Sequence, residues 1–140
     1  MAEITQEIKS TLKYIGYTVD NLLFKRNPDF NEHKVEVLFN VASEVQYFEE
    51  NKALVTVTLV IFPDAQKNDF PFSIDLSVTG EFQIENYDPT KDSKLFEINT
   101  VSIMFPYLRA LVSTITANAN VAPLILPPIN VIQLLQNKKS

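Results

Sequence analysis

The chain has 140 residues, 46% of them hydrophobic and 21% charged, with a formal net charge of −5. That length suits one domain with a real core, residues 1–140 throughout, and an acidic chain with scattered bases lacks the clustered Lys and Arg that nucleic-acid binding requires. The absence of cysteine excludes disulfides and thiolate metal sites.

The segment Met1 to Lys13 alternates charges with isolated apolar residues and has no continuous apolar core of the signal-peptide kind, so a cytoplasmic protein is expected. A first strand is expected from roughly Tyr14 to Lys25, ended by Asn27-Pro28-Asp29. In the next, Val35, Val37, Phe39 and Val41 alternate with Lys34, Glu36, Leu38 and Asn40. A turn holding Glu49, Glu50, Asn51 and Lys52 leads to Leu54–Phe62, which is β-branched and uncharged like a central strand and ends at Pro63-Asp64. From Phe72 to Glu85 the alternation is strict, with Phe72, Ile74, Leu76, Val78, Phe82 and Ile84 on one side and polar residues on the other. This predicts an antiparallel strand with one wet face, and Gly80 on its apolar side marks a bulge or a close approach.

At Asn99 the period changes. Val101, Met104, Phe105, Leu108, Leu111, Val112 and Ile115 recur at helical spacing, which predicts a helix whose regular part starts near Phe105, because Pro106 is cheap only in a first turn. Asn118 and Asn120 supply the stop, Val121–Ile129 with its three prolines is an extended crossover, and a short helix runs from about Asn130 to Asn137. The order predicts an α+β fold, helices packed on one face of a four-stranded antiparallel sheet.

From Ile98 to Asn137 the only charged side chain is Arg109. Pro106, Arg109, Pro123, Pro127 and Pro128 interrupt every window approaching the ~20 residues of a membrane span, so this stretch is expected to be buried in protein. It is apolar on more sides than one sheet covers, which points to a homo-oligomer with Val101, Leu108, Leu111, Val112 and Ile115 divided between sheet and a second subunit. A catalytic reading is weak: His33 is the only histidine and sits in a charged turn, and Gly16 and Gly80 are the only glycines, too few for a phosphate loop. Asp75, Glu81 and Glu85 form a row on a wet strand face, where carboxylates commonly serve solubility.

The residues Met104-Phe105-Pro106-Tyr107-Leu108-Arg109, followed by a crossover with Leu124, Leu126, Pro128, Ile129 and Asn130, resemble the SecB-type export chaperones. Gly80-x-Phe82-x-Ile84 looks like that family's fourth strand, Val35-x-Val37-x-Phe39-x-Val41-Ala42-Ser43 like its second, and Tyr17-Thr18-Val19-Asp20 like its first. The resemblance implies a homotetramer, a dimer of dimers, that holds unfolded preproteins in apolar grooves and passes them to the SecA motor, with no cofactor and no catalysis. It also implies a motor contact through acidic sheet residues, at Asp75, Asp20 and neighbouring Glu81. The groove is expected from Phe30, Val35, Val37, Phe39, Leu124, Leu126 and Ile129, rimmed by Val131, Leu134 and Leu135. Export-type members carry an acidic zinc-binding tail, whereas this sequence stops at Gln136-Asn137-Lys138-Lys139-Ser140. A SecB-like chaperone for another client such as an antitoxin, a carrier of small apolar ligands, and a purely structural oligomer are the alternatives. A carrier needs an enclosed pocket, a chaperone an open groove.

Overall fold

The computed structural model describes residues 11–48, 51–86 and 88–138, so Glu49 and Glu50 of the expected turn and the terminal Lys139-Ser140 lie outside the described residues. Four strands, β1 (Thr11–Arg26), β2 (Phe39–Phe48), β3 (Lys52–Ile61) and β4 (Phe72–Glu85), form one antiparallel sheet in the order β1-β4-β3-β2. A short α1 (Ala65–Asn68) links β3 to β4, and α2 (Pro89–Asn118) and α3 (Val131–Lys138) follow.

The central strands β3 and β4 take the bounds their sequence pattern gave to within two residues, because both are flanked by neighbours and alternate without interruption. Their inward side chains, among them Val55, Val57, Leu59, Leu76, Val78 and Phe82, are fully buried. Gly80 on this face is a close approach. A Cβ there would stand 2.8 Å from Met104 Sδ and 3.1 Å from Phe82 Cε1, so glycine leaves room for the Met104 thioether of α2 against the sheet. On the outer face hydroxyls pair across the strands, Thr56 with Thr79 at 2.9 Å and Thr58 with Ser77 at 3.3 Å, an arrangement suited to cross-strand contacts beside water.

The second strand begins later than its alternation suggests. Val35 and Val37 are half-buried and Glu36 and Leu38 exposed, yet the ladder starts only at Phe39. The partner runs out: β3 ends at Ile61, Phe62 turns away in the left-handed region at φ 53, and the last bond is Phe62 N–H to Leu38 O at 2.9 Å.

The long helix starts earlier than expected. It begins at Pro89 and runs through Pro106 without a break. Asp88 caps it, its carbonyl accepting from the Lys91 and Asp92 amides while its own amide donates to Asp92 Oδ2 at 2.9 Å, and Pro89 supplies a preset first helical position. Pro106 is tolerated because it and Ser102, whose carbonyl it leaves without a helical donor, both face the exposed side of the helix, where water can take that carbonyl. The continuous helix also overturns the expected interruption of every membrane-length window, since Lys91–Asn118 is long and apolar enough by length and composition to cross a bilayer. One side of it, however, is committed to the sheet. Val101, Met104, Phe105, Leu108 and Val112 are buried in the same cluster as the inward residues of β3 and β4, as in a core helix. The helix ends where expected, with Asn120 in the left-handed region at φ 62 and the Val121 amide bonded back to Thr116 O at 3.4 Å.

Candidate functional site

The crossover between α2 and α3 cannot satisfy its own backbone, because Pro123, Pro127 and Pro128 have no N–H and, among the described residues, no strand pairs with it. Polar side chains of α2 do this instead. Arg109 Nε donates to Leu126 O at 3.0 Å, Ser113 Oγ donates to Leu124 O at 3.0 Å, and the Leu124 amide donates to Thr116 Oγ1 at 2.9 Å. Spaced i, i+4 and i+7, the three residues lie on one side of the helix. Two small polar residues of α2 and its lone arginine therefore hold the crossover. The signal was present in the residue types, but the partners are long-range and had no sequence pattern.

These bonds decide which crossover side chains are accessible. Leu126 is fully buried and Leu124 half-buried, while Ile125 between them is 73% exposed. Next, Asn130 caps α3, accepting the Gln133 amide at Oδ1 at 3.0 Å and the Leu134 amide at its carbonyl at 2.9 Å. Val131 is thereby turned into the core and Ile132 outward, 51% exposed. Helix α3 contacts both α2 and β2. Val35, Val37, Phe39, Leu124, Ile129 and Leu134 are all partly buried against the same core cluster, and the Phe39 ring lies 6.5 Å from that of Phe105.

Of the expected groove residues, Leu126 and Val131 are thus core rather than wall, and six others stay partly open. The side chain of Leu135 is outside those described. Phe30 is not packed on this cluster; its ring meets that of His33 at 5.1 Å. Its segment is fastened to the α1 region by Gln66 Nε2 to Asp29 Oδ2 at 3.0 Å and by the Asn31 amide to Asp69 Oδ1 at 3.1 Å.

His33 belongs to that fastening. Its Nε2 is 3.0 Å from Asp69 Oδ2 and its Nδ1 3.1 Å from Lys34 O, so both ring nitrogens face acceptors and the doubly protonated ring fits best. The Lys34 carbonyl is the largest influence and raises its pKa above the usual histidine value; desolvation opposes it, and the Asp69 backbone and side chain add further upward contributions. With the folded pKa above the unfolded one, its contribution is present in acid and lost as pH rises through the folded value. Relative to a His33→Gln variant, the wild type is expected to lose thermal stability over that rise. An identical pH profile for the two proteins would refute the coupling.

The acidic positions are dispersed. Asp20, the residue left unpaired by a bulge in β1, accepts from the Thr79 hydroxyl, and Glu81 pairs with Lys52 at 3.2 Å. Asp75 lines an open cavity of about 940 Å³ on the outer face together with Lys25, Arg26, Lys67 and Asp64.

Five apolar α2 residues were expected to be divided between the sheet and a second subunit. Val101, Leu108 and Val112 are fully buried within the chain and unavailable, whereas Leu111 and Ile115 are half-buried. The larger uncovered surface is on β1. Bulges between Tyr14 and Gly16 and between Val19 and Asn21 shift its register, so Tyr17, Val19 and Leu22 pair with the inward residues Gly80, Val78 and Leu76 and share the helix side of the sheet. All three are nonetheless exposed, at 38, 39 and 47%. Tyr107 of α2 stands beside them, its ring 5.2 Å from Tyr17 and 5.6 Å from Tyr14, and burial followed by the Tyr107 and Tyr17 phenols raises the pKa of Tyr14.

A family model described as preprotein translocase subunit SecB matches residues 24–140. The chain belongs to the SecB family. An uncharacterised protein of Methanocaldococcus jannaschii is 38% identical over 134 residues, covering 92% of this chain and 85% of that one. The protein-export protein SecB of Azoarcus sp. is 26% identical over 105 residues, 75% of this chain and 70% of its own length. Among solved structures, the SecB-like chaperone of Mycobacterium tuberculosis in complex with an antitoxin peptide superposes with a TM-score of 0.65 at 15% identity, over 85% of this chain and 88% of that one. That likeness establishes the SecB-like fold: four antiparallel strands, a long helix and a short C-terminal helix.

Proposed function

We propose that this SecB-family protein is a holdase that binds unfolded polypeptides, keeping preproteins competent for export. The observation that carries the reading is the pinned crossover, which leaves Ile125 73% exposed and Ile132 51% exposed beside a half-buried apolar row from the start of β2, its approach, the crossover and α3. Such a surface accepts extended chain through apolar area with little sequence demand. Export is the favoured pathway because relatives such as the Azoarcus protein carry that name. A specific observation also supports an antitoxin client, since the Mycobacterium neighbour with the same fold holds an antitoxin peptide. On either reading the protein is cytoplasmic, needs no cofactor, and works as a homotetramer built as a dimer of dimers, with the bare β1 face meeting a second copy.

The test is the double variant Ile125→Ser/Ile132→Ser. Both side chains are exposed, so melting should be unchanged, while affinity for reduced, carboxymethylated α-lactalbumin should fall about tenfold or more, as losing two apolar contacts predicts. Unchanged affinity with an intact fold would reject this surface. Export and antitoxin service separate by pull-down from cells: SecA and preproteins in the first case, an antitoxin in the second. If SecA is engaged through the sheet, Asp75→Lys should weaken that capture without altering α-lactalbumin binding.

A further inference from the structure

We propose that Arg109, Ser113 and Thr116 are positioning residues for client binding, acting through the crossover they hold rather than by touching the client. The inference rests on the holdase reading and adds to it the device that shapes the surface.

Three backbone atoms of the crossover are held from the α2 side: Leu126 O by Arg109, and Leu124 O and N by Ser113 and Thr116. In an extended segment successive side chains point to opposite sides. Fixing the backbone at 124 and 126 therefore fixes the rotation of the segment about its own axis, with Leu124 and Leu126 on one side and Ile125 on the other, in keeping with half-buried Leu124, buried Leu126 and 73% exposed Ile125. The prolines on either side cannot substitute for these bonds, because they contribute no donors and only limit the backbone to extended conformations. Thr116 is itself fully buried and donates to Val112 O at 2.9 Å, so its oxygen is aimed and ready for the Leu124 amide. Arg109, the lone charge in a long apolar stretch, reaches Leu126 O through Nε, and its aliphatic stem can pack on the helix side. Without this hold the segment could roll, burying Ile125 at the expense of Leu126, and the binding surface would lose its most exposed apolar residue.

Arg109→Leu removes the donor and keeps an apolar stem, Arg109→Lys restores a donor of similar reach, and Ser113→Ala removes one hydroxyl without steric change. Binding of reduced, carboxymethylated α-lactalbumin is expected to weaken about fivefold in Arg109→Leu and in Ser113→Ala, in keeping with the loss of one hydrogen bond, and to recover in Arg109→Lys. Amide exchange should accelerate at Leu124, Ile125 and Leu126 in the two weakened variants and stay unchanged in β3 and β4. Wild-type affinity in both weakened variants overturns the proposal, as does tighter binding. Should Arg109→Leu fail to fold, Ser113→Ala with the exchange readout decides alone. If the wild type itself does not bind α-lactalbumin, the holdase reading falls and this inference with it; if it binds and the variants bind equally, only the positioning role falls.

Discussion

Leu126→Ser should melt about 10 °C or more below the wild type. Leu126 is fully buried in the core cluster with Val131 and the inward residues of the sheet, and truncating a buried leucine to a small side chain costs about 2–5 kcal/mol in transfer and cavity terms. The serine hydroxyl adds a polar group with no assigned partner. For a chain of this size each kcal/mol moves the midpoint by about 2–5 °C. Scanning calorimetry alongside Ile125→Ser makes the contrast sharp: two neighbouring crossover residues of similar size, one expected to lower the melting temperature and the other to leave it untouched. A Leu126→Ser protein melting within about 3 °C of wild type would remove Leu126 from the core.

The largest change in mass is expected from Leu22→Asp combined with Val19→Asp. Both side chains stand on the helix side of the sheet, where they pair with fully buried Leu76 and Val78 of β4 yet remain 47 and 39% exposed. Strand β1 is also an edge, 16 residues long, and an apolar edge of that length invites another chain. If a second copy covers this face, two buried carboxylates cannot be retained there, and sedimentation at micromolar concentration should shift from assembly to subunit. Because both positions are exposed in the single chain, the subunit itself should stay folded by circular dichroism. An unchanged sedimenting mass would place the subunit contact elsewhere, or show that there is none.

How far the sequence could be read depended on local conditions at each element. Strand β4 was legible nearly to the residue because it is central, regular and wet on one side only. In β1 the alternation is broken twice, at Ile15 and Asp20, where bulges insert a residue; its inward set, Tyr14, Tyr17, Val19 and Leu22, has no single period. The first turns of α2 were hidden by Lys91, Asp92, Lys94 and Glu97 around Phe96, a core residue at 5% exposure, and Pro106 suggested a boundary that its outward position makes unnecessary. At the candidate site the sequence pattern marks the apolar residues of the crossover but carries no information on their orientation. Choosing between Ile125 and Leu126 requires knowing that Arg109 reaches a carbonyl 17 positions along the chain, and no spacing rule gives that.

The order β1-β4-β3-β2 has a consequence for how the protein is made. Strand β2 pairs with its immediate successor β3, whereas β1 pairs only with β4, with Thr11 opposite Glu85 and Arg26 opposite Phe72. Contacts of such sequence separation form slowly, since loop closure must precede any gain from them. During synthesis the first of the described strands to leave the ribosome is therefore the last to be paired, and its row of Tyr17, Val19 and Leu22 waits uncovered until β4 has emerged. A protein proposed to shield unfinished chains passes through an interval in which its own leading strand is one.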